Sequence, residues 1–122
     1  MSDREAAEAW CAGHPLALRV FQRVAGIVES CGPAEIRVSR TQVALRRRRG
    51  FVYVWLPGRW LRKPQAEVVV SIALGRELTS ARFKQVVHPS RRVWMHHLEV
   101  QTLDALDAEF EGWLREAYED AG

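Results

Sequence analysis

The spacing of apolar residues changes twice along this chain of 122 residues, and the two changes limit the folds available to it. Up to Cys31 apolar residues recur every three or four positions, which predicts helices. From Ile36 to Val100 they alternate with polar residues in short runs, which predicts strands with one buried face. After Thr102 the helical spacing returns. The chain is therefore expected to form helices, a succession of strands and a final helix.

The helical segments carry recognisable start and stop signals. Ser2 followed by Glu5 fits a capping box, which predicts a first short helix over residues 3–12. Pro15 suits the first turn of a second helix. The pair Gly32–Pro33 ends that helix, because Gly favours the C-cap and Pro cannot continue the helical hydrogen bonding.

Five strands are expected in the middle of the chain: residues 36–38, 43–45, 51–56, 66–74 and 94–101. Ser80 is expected to cap a short helical turn over residues 81–87, and His88–Pro89 to break it. Thr102 is expected to cap the last helix.

This order of elements predicts one α+β domain over residues 1–122. The expected architecture is an antiparallel meander of about five strands, with the N-terminal and C-terminal helices packed on one face. The other face of such a sheet can remain open to solvent or to a ligand.

The hairpin around Gly50 divides its side chains between the two faces, because neighbours on a strand point in opposite directions. The side chains expected to face the helices are Val43, Leu45, Val52, Val54 and Leu56. Those expected on the opposite face are Gln42, Ala44, Arg46, Phe51, Tyr53 and Trp55. In the later strands, Val68, Val70, Ile72, Trp94, His96 and Leu98 are expected in the core, with Ser71, Met95 and His97 opposite.

An aromatic and arginine-rich sheet face is similar to the stacking platforms of proteins that bind single-stranded nucleic acid. The alternative is that the aromatic side chains form a second core. In that case the loop Pro57–Pro64 or the N-terminal helix covers them. Period and composition leave both interpretations open.

Charge is distributed unevenly along the chain. Residues 35–98 contain 14 Lys and Arg against three Glu, whereas residues 99–122 contain eight acidic residues against one Arg. The middle of the chain is therefore strongly basic and the C-terminal segment is acidic. This asymmetry favours an anionic partner, either nucleic acid or an acidic protein.

The basic residues cluster at predicted turns and are accompanied by aromatic residues. Arginine suits phosphate because its guanidinium presents a fixed fork of donors. The candidate anion-binding residues are Arg46, Arg47, Arg48, Arg49, Tyr53, Trp55, Arg59, Trp60, Arg62, Lys63, Arg91 and Arg92.

Catalytic and cofactor motifs are absent from the sequence. Nucleophile-elbow, phosphate-loop and dinucleotide-binding patterns do not occur. His96 and His97 are adjacent on a predicted strand and so point to opposite faces, which argues against a shared metal ion. We therefore expect no cofactor, no metal and no enzymatic activity.

The chain shows no membrane or export signal. Its N-terminus, Met1 to Glu5, is polar, and no apolar run is long enough to span a bilayer. Cys11 and Cys31 are too few and too isolated to predict a disulfide scaffold. A cytoplasmic location without a membrane partner is expected.

Three stretches of the sequence resemble a bacterial family of small uncharacterised domains, domain of unknown function family 5655. They are AWCAGHPLALRVFQRV at the start, EIRVSRTQVALRRRRGFVYVWLP at the hairpin and RRVWMHHLEVQTLDALDAEFEGWLREAYEDAG at the end. The resemblance covers nearly the whole chain and implies a small α+β domain. It implies no catalytic residues.

Three functions are compatible with these patterns. The first is a binding domain whose basic loops and aromatic sheet face contact nucleic acid or another anion. The second is a protein-interaction or homodimer module, in which Arg46–Arg49 of one chain pairs with Asp104–Asp120 of another. The third is a small-ligand or enzyme domain with a pocket around Tyr53, Trp94 and His96.

Overall fold

The computed structural model describes residues 1–59 and 66–122. In this part of the chain it contains three helices, six strands and two short 3₁₀ turns. The helices are α1 (Asp3–Trp10), α2 (Pro15–Cys31) and α3 (Ala108–Asp120). The strands are β1 (Glu35–Val38), β2 (Val43–Arg46), β3 (Gly50–Trp55), β4 (Val68–Leu74), β5 (Gln85–Ser90) and β6 (Val93–Val100). The 3₁₀ turns are Pro57–Arg59 and Leu103–Ala105.

All six strands form one antiparallel sheet in the order β1-β2-β3-β4-β6-β5. The core lies between one face of this sheet and the three helices, since all three helices contribute buried residues to the same apolar cluster. Apart from Phe51, the buried residues that β2, β3, β4 and β6 contribute to that cluster are the ones that alternation assigns to the helix side, such as Val43, Val54, Val70 and Leu98. The predicted α+β class is thus confirmed, with six strands instead of five.

The ends of α1 and α2 are stabilised in different ways. The predicted capping box of α1 is present, with the Glu5 N–H donating to Ser2 Oγ at 3.1 Å and the Ser2 N–H donating to Glu5 Oε1 at 3.3 Å. His14, at the start of α2, makes no side-chain capping bond. Instead, the carboxylate of Glu67 accepts from the Ala17 N–H at 3.0 Å. This contact places a negative charge at the positive end of α2 and links that helix to the start of β4.

The helical turn predicted over residues 81–87 is wrong. The chain turns at residues 81–82 and then forms β5, which pairs with β6 through Val86 opposite His96. The apolar spacing of this segment fits a helix, but its backbone pairs with β6 instead, which satisfies the hydrogen-bonding groups on one side of the strand. Pro89 also belongs to β5, where an edge position tolerates its missing N–H.

The last helix begins later than predicted. Thr102 precedes a 3₁₀ turn and makes no side-chain capping bond. The residue that caps α3 is Asp107, whose Oδ1 accepts from the Phe110 N–H at 3.0 Å. That hydrogen bond, together with the guanidinium of Arg82, holds the pKa of Asp107 below its ordinary value.

Phe51 is buried in the core, so its predicted place on the opposite sheet face is wrong. Leu45 pairs with Val52 and Arg46 pairs with Gly50, which leaves Phe51 as the extra residue of a β-bulge. The bulge turns its ring toward α3, where it meets the ring of Tyr118 edge-on at a centroid distance of 5.6 Å. Alternation resumes after the bulge.

Candidate functional site

The face of the sheet opposite the helices carries several partly exposed side chains together with four buried ones, Ala44, Val69, Ser71 and Ala73, and we call it the open face. The residues that alternation and register place there are Gln42, Ala44, Arg46, Tyr53, Trp55, Val69, Ser71, Ala73, Gln85, Val87, Met95 and His97. None of them belongs to the apolar cluster that the helices form with the sheet. The three helices therefore leave this face uncovered; the loop Pro57–Pro64, the other predicted cover, is described only as far as Arg59.

A concave pocket of about 590 Å³ lies on the open face. Its lining residues are Thr41, Gln42, Tyr53, Trp55, Ser71, Met95 and His97. Ser71 lies on the central strand β4, between the aromatic residues of β3 and the larger residues of β6. A small residue flanked by large ones produces a depression in a sheet surface. The volume is in the range found for small-molecule sites.

Trp55, Ser71 and His97 are joined by hydrogen bonds at the floor of this pocket. Trp55 Nε1 donates to Ser71 Oγ at 2.9 Å, and Ser71 Oγ lies 2.6 Å from His97 Nδ1. The Trp55 and His97 rings also meet edge-on at a centroid distance of 6.2 Å. We call these three residues the relay.

The hydrogen bonds of the relay are compatible with two tautomers of His97. An indole N–H only donates, so Ser71 Oγ accepts from Trp55 Nε1. With its second lone pair and its own proton, the hydroxyl can either accept from a protonated His97 Nδ1 or donate to an unprotonated one. Burial lowers the pKa of His97 and the neighbouring His96 lowers it further, so the ring is neutral near pH 7.

Ser71 joins Trp55 and His97 through hydrogen bonds to its side-chain oxygen. Its side chain is buried, with 3% of the residue exposed, and its oxygen is already bonded to Trp55 and His97. Within the described ranges, the nitrogen of His97 that makes no hydrogen bond in the relay is Nε2. Chemically, the open face offers aromatic surface and a neutral imidazole.

The position of the Tyr53 ring depends on Gly50, the first residue of β3. Its hydroxyl lies where the Cβ of any other residue at position 50 would stand. Gly50 thus allows the tyrosine ring to lie back along the sheet toward the arginine hairpin.

Two of the four hairpin arginines contact the end of α3. Arg47 Nη1 donates to the Tyr118 carbonyl at 2.9 Å, and its guanidinium carbon lies 4.1 Å from the centre of the Tyr118 ring. Arg49 Nη2 donates to the Asp120 carbonyl at 3.3 Å. Helix α3 has no basic residue in its last turn, so the hairpin supplies the positive charge that a helix C-terminus favours.

Arg59 also contacts a helix end. Its guanidinium carbon lies 4.4 Å from the centre of the Trp10 ring, and Nη2 donates to the Trp10 carbonyl at 3.2 Å. Trp60, Arg62 and Lys63, the other predicted residues of this cluster, lie outside the described residues.

The arginine hairpin and the β5–β6 turn are brought to the same end of the sheet. Ser90 pairs with Val93, Trp94 pairs with Leu74, and β4 runs antiparallel beside β3, so Arg91 and Arg92 lie at the end where the arginine hairpin lies. The two turns are three strand spacings apart, about 14 Å. Arg48, Arg91 and Arg92 are exposed, and Arg46 is partly exposed.

The C-terminus of α3 reaches this basic end. Asp120 accepts from the Gly75 N–H at 2.9 Å, and the Ala121 carbonyl accepts from the Arg48 N–H at 2.9 Å. Farther along the helix, Arg76 pairs with Glu116 at 2.8 Å. Part of the acidic C-terminal segment is therefore neutralised within the same chain.

His96 lies in the core, away from the open face. It is fully buried, and its Nε2 accepts from the Leu78 N–H at 2.9 Å while Nδ1 lies 3.2 Å from the Ile72 carbonyl. Trp94 stacks on His88 at a centroid distance of 3.9 Å. Tyr53 points to the other face of the sheet, so Tyr53, Trp94 and His96 do not line a common pocket. Among the described residues, no three His, Cys, Asp or Glu side chains are grouped as metal ligands.

Sequence reasoning identified Trp55 as a candidate but not its partners Ser71 and His97. Alternation placed both on the same face as Trp55. Their contact depends on the register between β4 and β6, which sets Ser71 opposite His97. The expected five-strand meander makes these two strands neighbours but does not specify that register. A serine flanked by apolar residues in a strand, on the same face as a histidine, was the signal available.

Comparison with known proteins gives one match. No curated protein and no solved structure matches the chain. Within the described ranges, no helix has the length and apolar character needed to cross a membrane. The model of one protein family, described as a domain of unknown function (DUF5655), matches residues 8–121. Since this match spans nearly the whole sequence, the chain belongs to the DUF5655 family.

Proposed function

We propose that this domain is a non-enzymatic binding module that holds single-stranded nucleic acid on its open face. The observation that carries the proposal is the pair of partly exposed aromatic side chains, Tyr53 and Trp55, on a sheet face that the helices leave uncovered. Proteins that bind single strands use such aromatic residues because every base has a flat face that stacks.

The spacing of the aromatic residues supports this function. Tyr53 and Trp55 are two positions apart on β3, which separates them by about 7 Å along the strand. Each ring can therefore take a different base. Arg46 is paired with Gly50 at the end of the same hairpin and lies on the same face, where its guanidinium can contact the backbone of a bound strand.

The basic end of the sheet supplies further phosphate contacts. Arg48, Arg91 and Arg92 are exposed, and no ion pair involves them in the described part of the chain. Together with Arg46 they form the phosphate-binding set of the proposal. Arg47, Arg49 and Arg59 are given a structural role, because their guanidinium groups are bonded to helix carbonyls.

The proposal places the domain in the cytoplasm of a bacterial cell. Cys11 and Cys31 are free thiols in the structure, which suits a reducing compartment that contains nucleic acid. The acidic protein partner is the alternative anion that the same arginines would contact.

A fluorescence anisotropy titration with a labelled single-stranded oligonucleotide tests this function. We expect Tyr53→Ala to weaken binding by about fivefold to a hundredfold, as the loss of one stacked base does. The double variant Arg46→Glu, Arg48→Glu is expected to weaken binding and to reduce its dependence on salt, because fewer counterions are released.

The control is Arg19→Glu, which makes the same substitution once, and so half of that charge change, on an exposed residue of α2. It is expected to have a much smaller effect per charge. The proposal fails if the wild-type domain binds no oligonucleotide at low salt. It also fails if Tyr53→Ala binds as tightly as the wild type does.

A further inference from the structure

Trp94 and His88 form a stacked aromatic pair that the packing of the core does not explain. Trp94 pairs with the core residue Leu74, which turns its side chain to the helix side of the sheet. Among the described residues, however, it belongs neither to the apolar cluster nor to the partly buried side chains that pack against that cluster. Its ring is instead stacked on His88, with the ring centroids 3.9 Å apart and the ring planes at 9° to each other. A partly exposed tryptophan outside the core is typical of a binding surface.

The ring of His88 is held flat on Trp94 with its outer face toward solvent. Its Nε2 lies 3.3 Å from the Arg91 carbonyl oxygen, and because a carbonyl only accepts, Nε2 donates this hydrogen bond. His88 is nonetheless an exposed residue. Since one face of the ring lies on Trp94 and one nitrogen is bonded within the turn, this exposure includes the outer face of the ring. That face is a flat aromatic surface of the kind on which a base stacks.

The exposed arginines of the β5–β6 turn lie between this pair and the open face. Arg91 and Arg92 follow β5 at the end of the sheet, whereas Tyr53 lies on the open face and His88 is stacked on the helix side. Neither arginine takes part in an ion pair with any residue that the structure describes. A strand that crosses from one face of the sheet to the other at this end therefore meets positive charge at the turn.

We propose that His88, stacked on Trp94, is a further base-stacking site for a single strand that leaves the open face over the β5–β6 turn. The inference rests on the proposed function and extends it to the helix side of the sheet. A base lies on the outer face of the His88 ring, so that base, imidazole and indole form one stack. Arg91 and Arg92 bind the phosphates that connect this base to the bases on the open face. Trp94 is a positioning residue, because it supports the imidazole and does not itself contact the base.

Anisotropy titrations of the whole domain with oligo-dT of about ten nucleotides test this site. His88→Ala should weaken binding by about fivefold to tenfold, at the low end for one stacked base, because only one face of that base is covered. His88→Phe keeps a flat ring without a charge and should bind nearly as tightly as the wild type. The matched control, His14→Ala, should bind like the wild type, since α2 begins beside Glu67, at the opposite end of β4 from this turn. A urea titration of each variant confirms that it is folded.

An abasic strand of the same length separates base stacking from phosphate contacts. It retains the phosphates and has no bases, so His88→Ala should bind it as tightly as the wild type does. Equal losses on oligo-dT and on the abasic strand would overturn the site, as would a His88→Phe variant that binds oligo-dT as weakly as His88→Ala. If His88→Ala binds oligo-dT like the wild type while Tyr53→Ala binds it more weakly, the stacking site is wrong and the proposed function stands. If no oligonucleotide binds, both proposals are wrong.

Discussion

Two neighbouring arginines of the β2–β3 hairpin, Arg47 and Arg48, are expected to differ in how much their replacement by Ala lowers the stability of the fold. Arg47 bonds the Tyr118 carbonyl and lies over the Tyr118 ring, whereas the side chain of its neighbour Arg48 is exposed. Arg47→Ala should therefore destabilise the fold, and Arg48→Ala should leave its stability nearly unchanged. The two variants lose the same side chain and the same charge from adjacent positions.

The expected magnitude follows from the contacts of Arg47. A hydrogen bond from a charged group contributes about 1.5–3 kcal/mol, and a cation–π contact at an exposed site about 0.5–1 kcal/mol. Solvent screening weakens both contacts, because Arg47 is exposed at the surface. We therefore expect a loss of about 2 kcal/mol for Arg47→Ala. Surface substitutions without such contacts usually change stability by less than about 0.5 kcal/mol, which is the expectation for Arg48→Ala.

Thermal and urea unfolding measure this difference. Unfolding a chain of 122 residues has an entropy of about 0.26 kcal/mol/K, so 2 kcal/mol lowers Tm by about 8 °C. The urea midpoint should fall by about 1 M with an unchanged slope. Arg47→Lys, which keeps the charge but lacks the planar fork, should lie between the wild type and Arg47→Ala. Equal midpoints for Arg47→Ala and Arg48→Ala would refute the structural role of Arg47.

Three further predictions concern the open face and the thiols. Gly50→Ala should displace the Tyr53 ring, because a Cβ at position 50 occupies the place of its hydroxyl; the tyrosine ring signals should shift in NMR and oligonucleotide binding should weaken, and unchanged signals would contradict this. Because burial lowers the pKa of His97 below its unfolded value of 6.5, the unfolded chain binds more protons in the interval between the two values. Stability should therefore fall as the pH drops from about 6.5 toward the folded pKa, and His97→Gln should lack this part of the decrease in urea midpoint; an identical decrease in both proteins would argue against it. Burial raises the pKa of the Cys11 thiol to about 11, so in native protein Cys11 should react with iodoacetamide much more slowly than the partly exposed Cys31, with urea-unfolded protein as the control for equal reactivity.

Local signals in the sequence were sufficient to predict much of the fold. The capping box of α1 involves residues three positions apart, and the alternation of Val52 and Val54 with Tyr53 reports directly on which face each side chain occupies. Both signals depend only on residues that are close in sequence, so they can be recognised without knowledge of the tertiary structure. The segment of β5 was misassigned because its apolar spacing fits a helix, and only its pairing with β6 determines its structure.

The candidate site depends on contacts that no local pattern contains. Phe51 faces the core because it is the extra residue of a bulge. That bulge is defined by two cross-strand pairs. The contact of Ser71 with His97 requires a particular register between β4 and β6, which no local pattern specifies. The role of Arg47 depends on where the end of α3 lies, 71 residues away in sequence. Because Arg47 and Arg48 carry the same charge, the sequence alone could not predict that only Arg47 contacts Tyr118 through its side chain.

The edge strand β5 has a consequence for the behaviour of the domain at high concentration. An edge strand exposes unpaired backbone groups that can recruit strands from other chains. In β5 that template is interrupted, because Pro89 has no N–H and the pairing with β6 is irregular between Val87 and Ser90. The opposite edge, β1, is only four residues long. Both edges are therefore poor templates for pairing with strands of other chains.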